Sequence, residues 1–210
     1  MNQKDEHYFS EFSNSKIKFL TVPVSLRKHL YLFKTITGIF SFKKLDLGTR
    51  VLIENMIIPK NAALLLDLGC GYGAIGIVLA YESPDSLVYL TDINRRALWC
   101  AKQNIQINIP HLKNHMHVMY GNYFEPFKNK GIKFEGIYMN PPLRLGRKAF
   151  IALFKEIPIY LKKNSTFQFV IRKKMGSEYI YNYLLEAFSK ERIEILCKRS
   201  GYWVFKYIQG

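Results

Sequence analysis

Short apolar runs alternate along this chain with longer segments in which apolar residues recur every three or four positions. Apolar runs bounded by glycine, proline or polar residues are typical of strands buried in a parallel sheet, whereas the three-to-four spacing predicts helices. A repeated order of strand and helix predicts an α/β fold with a mostly parallel sheet. The predicted strands of this core are residues 64–68, 87–91, 115–120, 134–139 and 166–171.

Before the core, the pattern predicts a small β-hairpin. Residues 18–22 and 30–33 are rich in branched and aromatic side chains, and Pro23 and Ser25 lie between them. Residues 37–41 would then form a turn near the functional site. The next helix is predicted at residues 48–56, and an antiparallel pair of strands is predicted near the end of the chain, at residues 192–196 and 202–208.

The first core strand runs directly into a glycine-rich turn, Asp67-Leu68-Gly69-Cys70-Gly71-Tyr72-Gly73. Glycine tolerates positive φ and lets the backbone approach a ligand closely. The helix predicted at residues 74–80 presents free N–H groups and the positive end of its dipole to this turn. A turn of this kind, after the first strand of a doubly wound sheet, predicts a nucleotide-type cofactor site.

Two cofactors fit such a turn. The pattern Gly71-x-Gly73-x-x-Gly76, with Asp92 about 20 residues further on, matches dinucleotide-binding proteins. However, Asp67 and Gly69 precede it, and a carboxylate at the strand end disfavours a pyrophosphate. S-adenosylmethionine has no phosphate and carries a sulfonium and an ammonium, so Asp67 and the glycine backbone suit its methionine end. Asp92 would accept hydrogen bonds from the ribose hydroxyls, and we therefore predict S-adenosyl-L-methionine.

A third motif, Asn140-Pro141-Pro142-Leu143, follows the strand at residues 134–139. The order Asp-x-Gly-x-Gly-x-Gly, then an aspartate, then Asn-Pro-Pro resembles the class I S-adenosylmethionine-dependent methyltransferases. Within them, the chain resembles the methyltransferase small domain family, which includes small-subunit ribosomal RNA guanine-N2 methyltransferases and short, single-domain archaeal relatives. Thr37-Gly38-Ile39-Phe40-Ser41 and Asp46-x-Gly48-Thr49-Arg50 are also similar to that family, so the resemblance runs from about His7 to the C-terminus.

The resemblance implies a Rossmann-like class I methyltransferase fold. This fold has a mostly parallel seven-stranded sheet with helices on both faces, here with a small N-terminal β-hairpin extension. We expect a single methyltransferase domain over residues 1–210. Residues 1–47 would form the hairpin extension and residues 48–210 the S-adenosylmethionine-binding catalytic core.

The resemblance also implies which residues carry the reaction. The side-chain oxygen of Asn140 and the carbonyl oxygen of Pro141 would each accept a hydrogen bond from one N–H group of an exocyclic amine. The two consecutive prolines, Pro141 and Pro142, fix the backbone there. This is positioning and electrostatic preorganisation rather than general base catalysis. Leu143 stands where the family often has an aromatic residue that stacks on the target base. A leucine there also disfavours the related protein-glutamine methyltransferases, which have Tyr at that position.

Further cofactor contacts are expected near the ends of the first three core strands. In the superfamily an acidic residue often accepts a hydrogen bond from the adenine amino group, and here Asn122 takes that position with an amide oxygen that can still accept it. The expected cofactor-binding residues are Asp67, Gly69, Cys70, Gly71, Gly73, Asp92, Ile93, Asn122 and Asn140.

The net charge of +15 is unevenly distributed. Residues 1–60 have ten Lys/Arg and five Asp/Glu (+5), residues 61–142 have seven and six (+1), and residues 143–210 have fourteen and five (+9). An excess of positive charge around a cofactor site favours a polyanionic substrate over a merely soluble surface. The expected RNA-binding residues are Phe40, Arg50, Arg144, Arg147, Lys148, Arg172, Lys173 and Lys174.

Two of these assignments keep an alternative. Phe40 would contact a base or the adenine, or it packs in the core. Arg50 would reach a substrate phosphate, or it pairs with Asp46. The turn Lys198-Arg199 adds two more positive charges near the end of the chain.

Composition excludes several classes. No stretch approaches the ~18 apolar residues of a membrane span, and because the start of the chain is polar we expect no signal peptide. Three scattered cysteines indicate the reducing cytoplasm. His111, His115 and His117 invite a metal site, but no acid or thiol ligand lies near them, and we expect no metal. The protein would be a monomer or a homodimer.

These observations predict an S-adenosylmethionine-dependent N-methyltransferase that acts on an exocyclic amine of an RNA base. Guanine N2 in ribosomal RNA is the first substrate, free or in a ribosomal particle, and transfer RNA is the second. The alternatives are a protein-glutamine N-methyltransferase, an NAD-dependent oxidoreductase and a non-catalytic RNA-binding protein.

Overall fold

The computed structural model describes residues 17–142 and 147–210, and for residues 147–149 it describes the backbone alone. The strands are β1 (Phe19–Leu26), β2 (His29–Ile36), β3 (Leu64–Leu68), β4 (Leu87–Asp92), β5 (Met116–Tyr120), β6 (Phe134–Met139), β7 (Leu161–Arg172), β8 (Ile193–Arg199) and β9 (Tyr202–Ile208). The α-helices are α1 (Leu47–Asn55), α2 (Ala74–Glu82), α3 (Arg95–Asn108), α4 (Arg147–Tyr160) and α5 (Ser177–Ala187).

Seven strands form one sheet in the order β5-β4-β3-β6-β7-β9-β8. β3 pairs in parallel with β4 on one side and with β6 on the other, and β9 runs antiparallel to both β7 and β8. The chain therefore builds the sheet outward in two directions from β3 and β6. The gap between the carboxyl ends of these two strands is the topological switch point, where α/β sheets bind their ligands.

Two apolar cores cover the two faces of this sheet. The alternation of side chains along β3 sends Leu65 to one core and Leu66 and Leu68 to the other. The first core contains the hairpin β1–β2 and the apolar residues of α1, α2 and α3, and the second contains those of α4 and α5. The predicted fold, a seven-stranded, mostly parallel sheet with helices on both faces and an N-terminal hairpin, is confirmed.

The hairpin is longer than predicted, and the expected connection at Pro23 and Ser25 is wrong. Pro23 lies inside β1 opposite Leu32. The N–H and C=O of Leu32 point away from β1 and bond the side chain of Asn108 on α3, at 2.8 and 3.0 Å. Because this pair exchanges no hydrogen bonds within the hairpin, a proline without an N–H group fits there.

The hairpin turns at Arg27-Lys28, which both have positive φ, 46° and 66°. Such a two-residue turn normally has Asn or Gly, so no local sequence signal marks it. The side chain of Arg27 holds the turn: its Nη1 donates to the carbonyls of Ile53 and Met56, each at 3.1 Å. The backbone N–H of Arg27 also donates to the carboxylate of Glu54, at 3.2 Å. These contacts attach the hairpin to the end of α1.

Two helices begin in different ways. Asn94 caps α3, because its side chain accepts from the N–H groups of Arg96 and Ala97. At α5, Gly176 occupies the N-cap position with φ of 99° and no side chain caps the helix. Ser177 is the first residue of α5, and its hydroxyl is buried without a hydrogen-bond partner among the described residues.

Candidate active site

A pocket opens at the switch point between the carboxyl ends of β3 and β6. The turn after β3, the start of α2, the residue after β6, the first turn of α1 and the turn after β2 all contribute to its wall. Elements that are far apart in the sequence thus meet at one place. The pocket is lined by Phe40, Ser41, Thr49, Gly69, Cys70, Gly71, Tyr72, Ala74, Ile75 and Asn140.

Gly69 and Gly71 form the cradle of this pocket. Both have positive φ, 74° and 56°, and a Cβ atom added to either would have no neighbour within 4 Å. Crowding by protein atoms therefore does not explain why these two positions are glycine. The remaining reasons are the left-handed backbone and the open space in front of each residue. Gly76 differs, since a Cβ there would lie 2.8 Å from Leu90 Cδ2. Open glycines at a strand end are what a closely bound cofactor requires.

Asp67 lies behind the glycine turn and is fully buried. Its Oδ2 accepts a hydrogen bond from the N–H of Gly76 at 2.8 Å, in the first turn of α2. This contact occupies an N–H group that a pyrophosphate would need and places a carboxylate at the helix N-terminus. The Oδ1 atom of Asp67 has no hydrogen-bond partner among the described residues. The arrangement suits a cationic ligand rather than a dinucleotide.

Burial changes the titration of the groups under the turn. Desolvation raises the pKa of Asp67 to about 7; the hydrogen bond from Gly76 opposes the shift, and the charge of Asp92 adds to it. Burial also raises the pKa of the Cys70 thiol well above its usual range, and the Asp67 carboxylate adds to that shift. Cys70 therefore contributes a small neutral side chain to the pocket wall rather than a nucleophile.

Asp92, at the end of β4, organises the turn as well. Its Oδ2 accepts from the N–H of Gly71 and its Oδ1 from the N–H of Asn94, both at 2.8 Å. Each oxygen keeps a second lone pair, so the carboxylate can still accept hydrogen bonds from ribose hydroxyls. Ile93 follows with an exposed side chain, and Asn122, after β5, is also exposed.

Asn140 follows β6 and has its side-chain amide in a defined orientation. The Nδ2 atom donates to Asp46 Oδ2 at 2.9 Å and to Thr49 Oγ1 at 2.8 Å. A carboxylate has no proton to donate, so the amide atom that faces it has to be the NH₂ group. Among the described residues, no donor bonds Asn140 Oδ1. The side chain thus offers an unused acceptor at the pocket, while Pro141 is buried and Pro142 exposed.

Asp46 and Thr49 are site residues that the sequence motifs alone did not single out. Asp46 is the N-cap of α1, and its Oδ2 accepts from the N–H of Thr49 at 2.9 Å. The cap fixes the first turn of α1 and brings the Thr49 hydroxyl to the pocket wall. The signal was present in the similarity of Asp46-x-Gly48-Thr49 to the family, but the contact with Asn140 spans more than ninety residues.

Tyr72 and Asn104 join the pocket to the hairpin. Asn104 is fully buried on α3; its Oδ1 accepts from the N–H of Lys34 at 2.6 Å, and its Nδ2 donates to the carbonyls of Lys34 and Tyr72, at 3.0 and 2.9 Å. The ring of Tyr72 packs against Phe33 of β2. The Tyr72 hydroxyl is buried without a hydrogen-bond partner among the described residues.

Two predicted RNA-binding residues near the hairpin have different positions. Phe40 lines the pocket with 61% of its side chain exposed, which excludes the alternative that it packs in the core. Arg50 is half-buried on α1, and its Nη1 donates to the carbonyl of Ser25 at 2.8 Å. The guanidinium therefore contacts the hairpin backbone, and the carboxylate of Asp46 is bonded by Thr49 and Asn140.

The basic residues predicted to bind RNA are partly described. Arg172, Lys173 and Lys174 are exposed at the carboxyl end of β7. Leu143 and Arg144 lie outside the described residues. Arg147 and Lys148 begin α4, and their side chains also lie outside the described part of the chain.

Two of the three histidines that invited a metal site have other contacts. His115 Nδ1 is 2.9 Å from the carbonyl of Pro84, and the ring of His117 stacks on Tyr89. Over residues 17–142 and 147–210, no group of three or more His, Cys, Asp or Glu could hold a metal ion. Within the same residues, every helix is too short or too polar to span a membrane.

Comparison with known proteins identifies the family of this chain. Residues 31–206 match the methyltransferase small domain. The chain belongs to the methyltransferase small domain family. The class predicted from the sequence, an S-adenosylmethionine-dependent methyltransferase, is therefore confirmed.

Two relatives align with this chain over different shares of their own length. The uncharacterised protein YbxB of Bacillus subtilis is 32% identical over 96% of this chain and 97% of its own. Ribosomal RNA small subunit methyltransferase C of Buchnera aphidicola (subsp. Cinara cedri) is 30% identical over 85% of this chain but only 51% of its own. This chain thus spans about half the length of that relative.

A solved structure shares the fold. The 16S ribosomal RNA N2 guanine methyltransferase RsmC of T. thermophilus, in complex with AdoMet and guanosine, superposes with a TM-score of 0.73 and 20% identity. The superposition covers 93% of this chain and 51% of that one.

Proposed function

We propose that this protein transfers a methyl group from S-adenosylmethionine to an exocyclic amine of an RNA base, guanine N2 in ribosomal RNA. The observation that carries the proposal is the amide of Asn140. Its NH₂ group is held by Asp46 and Thr49, and its oxygen is left as an acceptor at the pocket.

An exocyclic amine is a poor nucleophile because its lone pair is delocalised into the ring. The Oδ1 atom of Asn140 and the carbonyl oxygen of Pro141 would each accept a hydrogen bond from one N–H group of the amine. These two hydrogen bonds draw the nitrogen toward tetrahedral geometry and direct its lone pair at the sulfonium methyl. S-adenosylmethionine supplies an electrophilic methyl group on a sulfonium. The amine nitrogen would bond this methyl as the bond between the methyl and sulfur breaks, which leaves S-adenosylhomocysteine, and the amine would release one proton to water. The residues contribute by holding the position of the amine.

The cofactor would lie against the glycine turn. Gly69 and Gly71 leave open space, and the carboxylates of Asp67 and Asp92 accept hydrogen bonds from the N–H groups of Gly76 and Gly71 at this turn. This charge favours the ammonium and sulfonium of the methionine end. Of the cofactor-binding residues expected from the sequence, we place Asp67, Gly69, Cys70, Gly71, Gly73 and Asp92 against the cofactor, with Ile93 and Asn122 at the adenine. We assign Asn140 to the substrate amine.

The choice of RNA is supported by positive charge that comes together beside the site. β7 and β9 run antiparallel, so the turn after β7 meets the turn before β9, and the N–H of Lys173 donates to the carbonyl of Gly201 at 2.8 Å. We call the exposed cations at these two turns and at the adjoining ends of β7 and β8 the basic edge. It consists of Arg172, Lys173, Lys174, Lys198 and Arg199.

The basic edge adjoins the part of the pocket that contains Asn140. Arg172 pairs with Tyr202 across the β7–β9 ladder. The ring of Tyr202 lies against α1, since a Cβ on Gly48 would be 2.8 Å from Tyr202 Cε1. The pKa of Tyr202 is raised by burial and by the charge of Asp46, and lowered by Arg172. A continuous path of contacts therefore leads from the basic edge to the residues that hold Asn140.

The named relatives support ribosomal RNA among polyanions. The Buchnera relative is a ribosomal RNA methyltransferase, and the T. thermophilus structure contains guanosine. Transfer RNA and protein glutamine are the other substrates that present a suitable amide or amine, and a methyl-transfer experiment distinguishes all three.

The test is transfer of a tritiated methyl group from S-adenosylmethionine to RNA, DNA and protein from cells that lack this gene. Ribosomal particles are offered beside free RNA, and Asn140→Ala is the control enzyme. We expect counts in ribosomal RNA or its particle that the control lacks. Counts in protein alone, or in transfer RNA alone, would contradict the proposed substrate. Binding of RNA with no transfer to any of these substrates would favour the non-catalytic alternative.

The basic edge has its own test, which uses the salt dependence of RNA binding. Removing one cation that touches a phosphate should reduce the slope of log K against log salt by about 0.7 for single strands. We expect Lys174→Ala with Arg199→Ala to reduce the slope by about one to two units. Lys128→Ala with Lys130→Ala removes the same charge from exposed residues that precede β6, and should leave the slope unchanged. Equal slopes for the two pairs would exclude the basic edge as the RNA contact.

A further inference from the structure

The orientation of the Asn140 side-chain amide is fixed by other residues, because its NH₂ group donates hydrogen bonds to Asp46 and Thr49 on a distant segment of the chain. An asparagine side chain can rotate by half a turn about its last bond and exchange the positions of oxygen and nitrogen. In that flipped state the NH₂ group would face the pocket, and a donor would oppose the N–H bonds of a substrate amine. Whatever fixes the amide therefore decides whether the pocket accepts an amine.

We propose that Asp46 and Thr49 are positioning residues for the reaction: they fix the Asn140 amide with its oxygen toward the substrate. This inference rests on the proposed function, because it supposes that an amine is the group to be held. Neither residue would touch the reacting atoms.

The chemistry of the two partners admits one orientation. The carboxylate of Asp46 can only accept, so Asn140 Oδ1 in place of Nδ2 would put two oxygens 2.9 Å apart. The Thr49 hydroxyl lies 3.4 Å from Asp46 Oδ2, to which it donates, and its lone pair accepts from Asn140 Nδ2 at 2.8 Å. Both contacts thus have the same direction and disfavour the flipped amide.

The negative charge of Asp46 also acts on the acceptor itself. Hydrogen bonds in a chain polarise one another, and a bond from the NH₂ group to a carboxylate pushes electron density toward the amide oxygen. Asn140 Oδ1 then becomes a stronger acceptor for the amine N–H, at the point where positive charge develops during methyl transfer.

The helix that carries these residues makes the arrangement rigid. Asp46 Oδ2 accepts from the N–H of Thr49 at 2.9 Å as the N-cap of α1, so one oxygen orders the helix start and the Asn140 amide together. Thr49 is 9% exposed and Leu52 on the same helix is fully buried. The amide is therefore held by an element that belongs to the apolar core and not by a surface loop.

The experiment separates positioning from folding by matched variants. Thr49→Val keeps the size and branching of the side chain and removes the acceptor, while Thr49→Ser keeps the hydroxyl. Asp46→Ser keeps an N-cap oxygen but is too short to reach Asn140. Measured quantities are kcat, KM for the RNA, the dissociation constant of S-adenosylhomocysteine and the melting temperature of each variant.

We expect Thr49→Val and Asp46→Ser to lower kcat by about 10- to 100-fold, the cost of a displaced catalytic group. KM and the S-adenosylhomocysteine dissociation constant should change by less than about threefold, and Thr49→Ser should stay near the wild type. In an Asn140→Ala background, Thr49→Val should have no further effect on kcat, because it acts through the missing amide. Wild-type kcat in Thr49→Val, or an undiminished effect in the Asn140→Ala background, would overturn the inference.

A measurement that needs no methyl transfer tests the orientation of the Asn140 amide separately from the proposed function. The two N–H signals of the Asn140 side chain, assigned in NMR spectra by their loss in Asn140→Ala, should move and exchange faster with water in Thr49→Val but not in Thr49→Ser. Unchanged signals would refute the orientation even in an active enzyme. Shifted signals in a protein that methylates no RNA would keep the orientation and refute the function.

Discussion

The glycine turn after β3 and the Asn140 segment after β6 line one pocket but are built differently. The turn is held by carboxylates from its own neighbourhood: Asp67 bonds an N–H nine residues away and Asp92 one that is twenty-one away. Asn140 is held by Asp46 and Thr49, which precede it by 94 and 91 residues. The proposed cofactor side, at the glycine turn, is thus held by residues that are close in the sequence, and the proposed acceptor side, at Asn140, is assembled by the fold.

This difference separates two kinds of defect. Changes on the cofactor side should appear in ligand affinity, whereas changes on the acceptor side should appear in turnover with affinity preserved. A variant that moves both would show that the two sides are not independent. Variants on each side therefore test the separation, and the largest effect is expected at Asn140.

The acceptor side is tested most strongly by Asn140→Ala. We expect turnover to fall by about 10²–10³-fold, the cost of deleting one preorganised polar contact, with the dissociation constant of S-adenosylhomocysteine nearly unchanged. Single-turnover rates and calorimetric titration measure the two quantities. Asn122→Ala, at the proposed adenine position, is the control on the cofactor side. It should have the opposite effect and weaken ligand binding more than turnover. Equal turnover in Asn140→Ala and the wild type would refute the mechanism.

Two glycines of the cofactor side should fail in different ways. In Gly76→Ala the new Cβ would lie 2.8 Å from Leu90 Cδ2, so we expect a loss of about 2 kcal/mol, equivalent to about 4–8 °C of melting temperature. The stabilising shift caused by S-adenosylhomocysteine should remain.

Gly71→Ala meets no protein atom within 4 Å but has φ of 56° and projects into the pocket. It should cost about 1–2 kcal/mol of stability and remove most of the ligand-induced shift. Thermal denaturation with and without ligand distinguishes the pair. A ligand shift that survives in Gly71→Ala would show that the cofactor lies elsewhere.

Asn104 should be the point at which the hairpin and the cofactor side are coupled. Asn104→Ala removes three hydrogen bonds, one of them to the Tyr72 carbonyl, while Asn108→Ala removes the bonds to Leu32 but none to the turn. We expect both to lose about 1–3 kcal/mol in denaturant unfolding. Only Asn104→Ala should also weaken S-adenosylhomocysteine binding. Equal affinities in the two variants would contradict the coupling.

Asp67 gives the cofactor side a pH dependence. Burial raises its pKa to about 7, above the value of 3.8 expected in the unfolded chain. A raised carboxyl pKa stabilises the fold below the unfolded value and loses that contribution as pH rises through about 7. Melting temperatures should therefore fall less between about pH 5 and about pH 8 in Asp67→Asn than in the wild type.

Ligand binding should show the opposite sign. The ammonium group of S-adenosylhomocysteine favours the ionised carboxylate, so the affinity for this ligand should rise as pH increases through about 7 in the wild type and less in Asp67→Asn. Asp92, whose pKa is also raised by burial, contributes in both proteins. Parallel pH profiles of the two proteins would exclude Asp67 as the source.

The smallest effect is expected at Tyr72, which lies between the two sides. Its hydroxyl is buried without a partner among the described residues, and burial raises its pKa. Removing an unsatisfied buried group is neutral or stabilising, so Tyr72→Phe should change the free energy of unfolding by less than about 1 kcal/mol. A larger loss in urea unfolding would mean that the hydroxyl is bonded in solution.

Local chemistry explains what could be predicted from the sequence. The strands β3, β4 and β6 are mostly apolar runs. The glycines and the two aspartates stand within one strand–turn–helix unit and the next strand. The antiparallel β8–β9 pair and the cap at Asn94 follow from equally local patterns. Each of these features depends on residues close in the chain.

What was missed depends on contacts between distant residues. The turn at Arg27-Lys28 has no turn residue of its own and is held by the end of α1. Asn104 and Asn108 bond the edge of β2 from another helix, and nothing in their own neighbourhood distinguishes them from exposed asparagines. Asp46 has the pattern of a helix cap, and its second role appears only when Asn140 is beside it.

The central claim is that Asn140 and Pro141 receive an exocyclic amine, and the position of the methyl group tests it most directly. Ribosomal RNA or its particle would be methylated with a donor whose methyl carries deuterium, digested to nucleosides and analysed by mass spectrometry. We predict the heavy methyl on guanine N2, formed about 10²–10³-fold more slowly by Asn140→Ala. A heavy methyl on a ring nitrogen, a base carbon or a ribose oxygen would contradict the account.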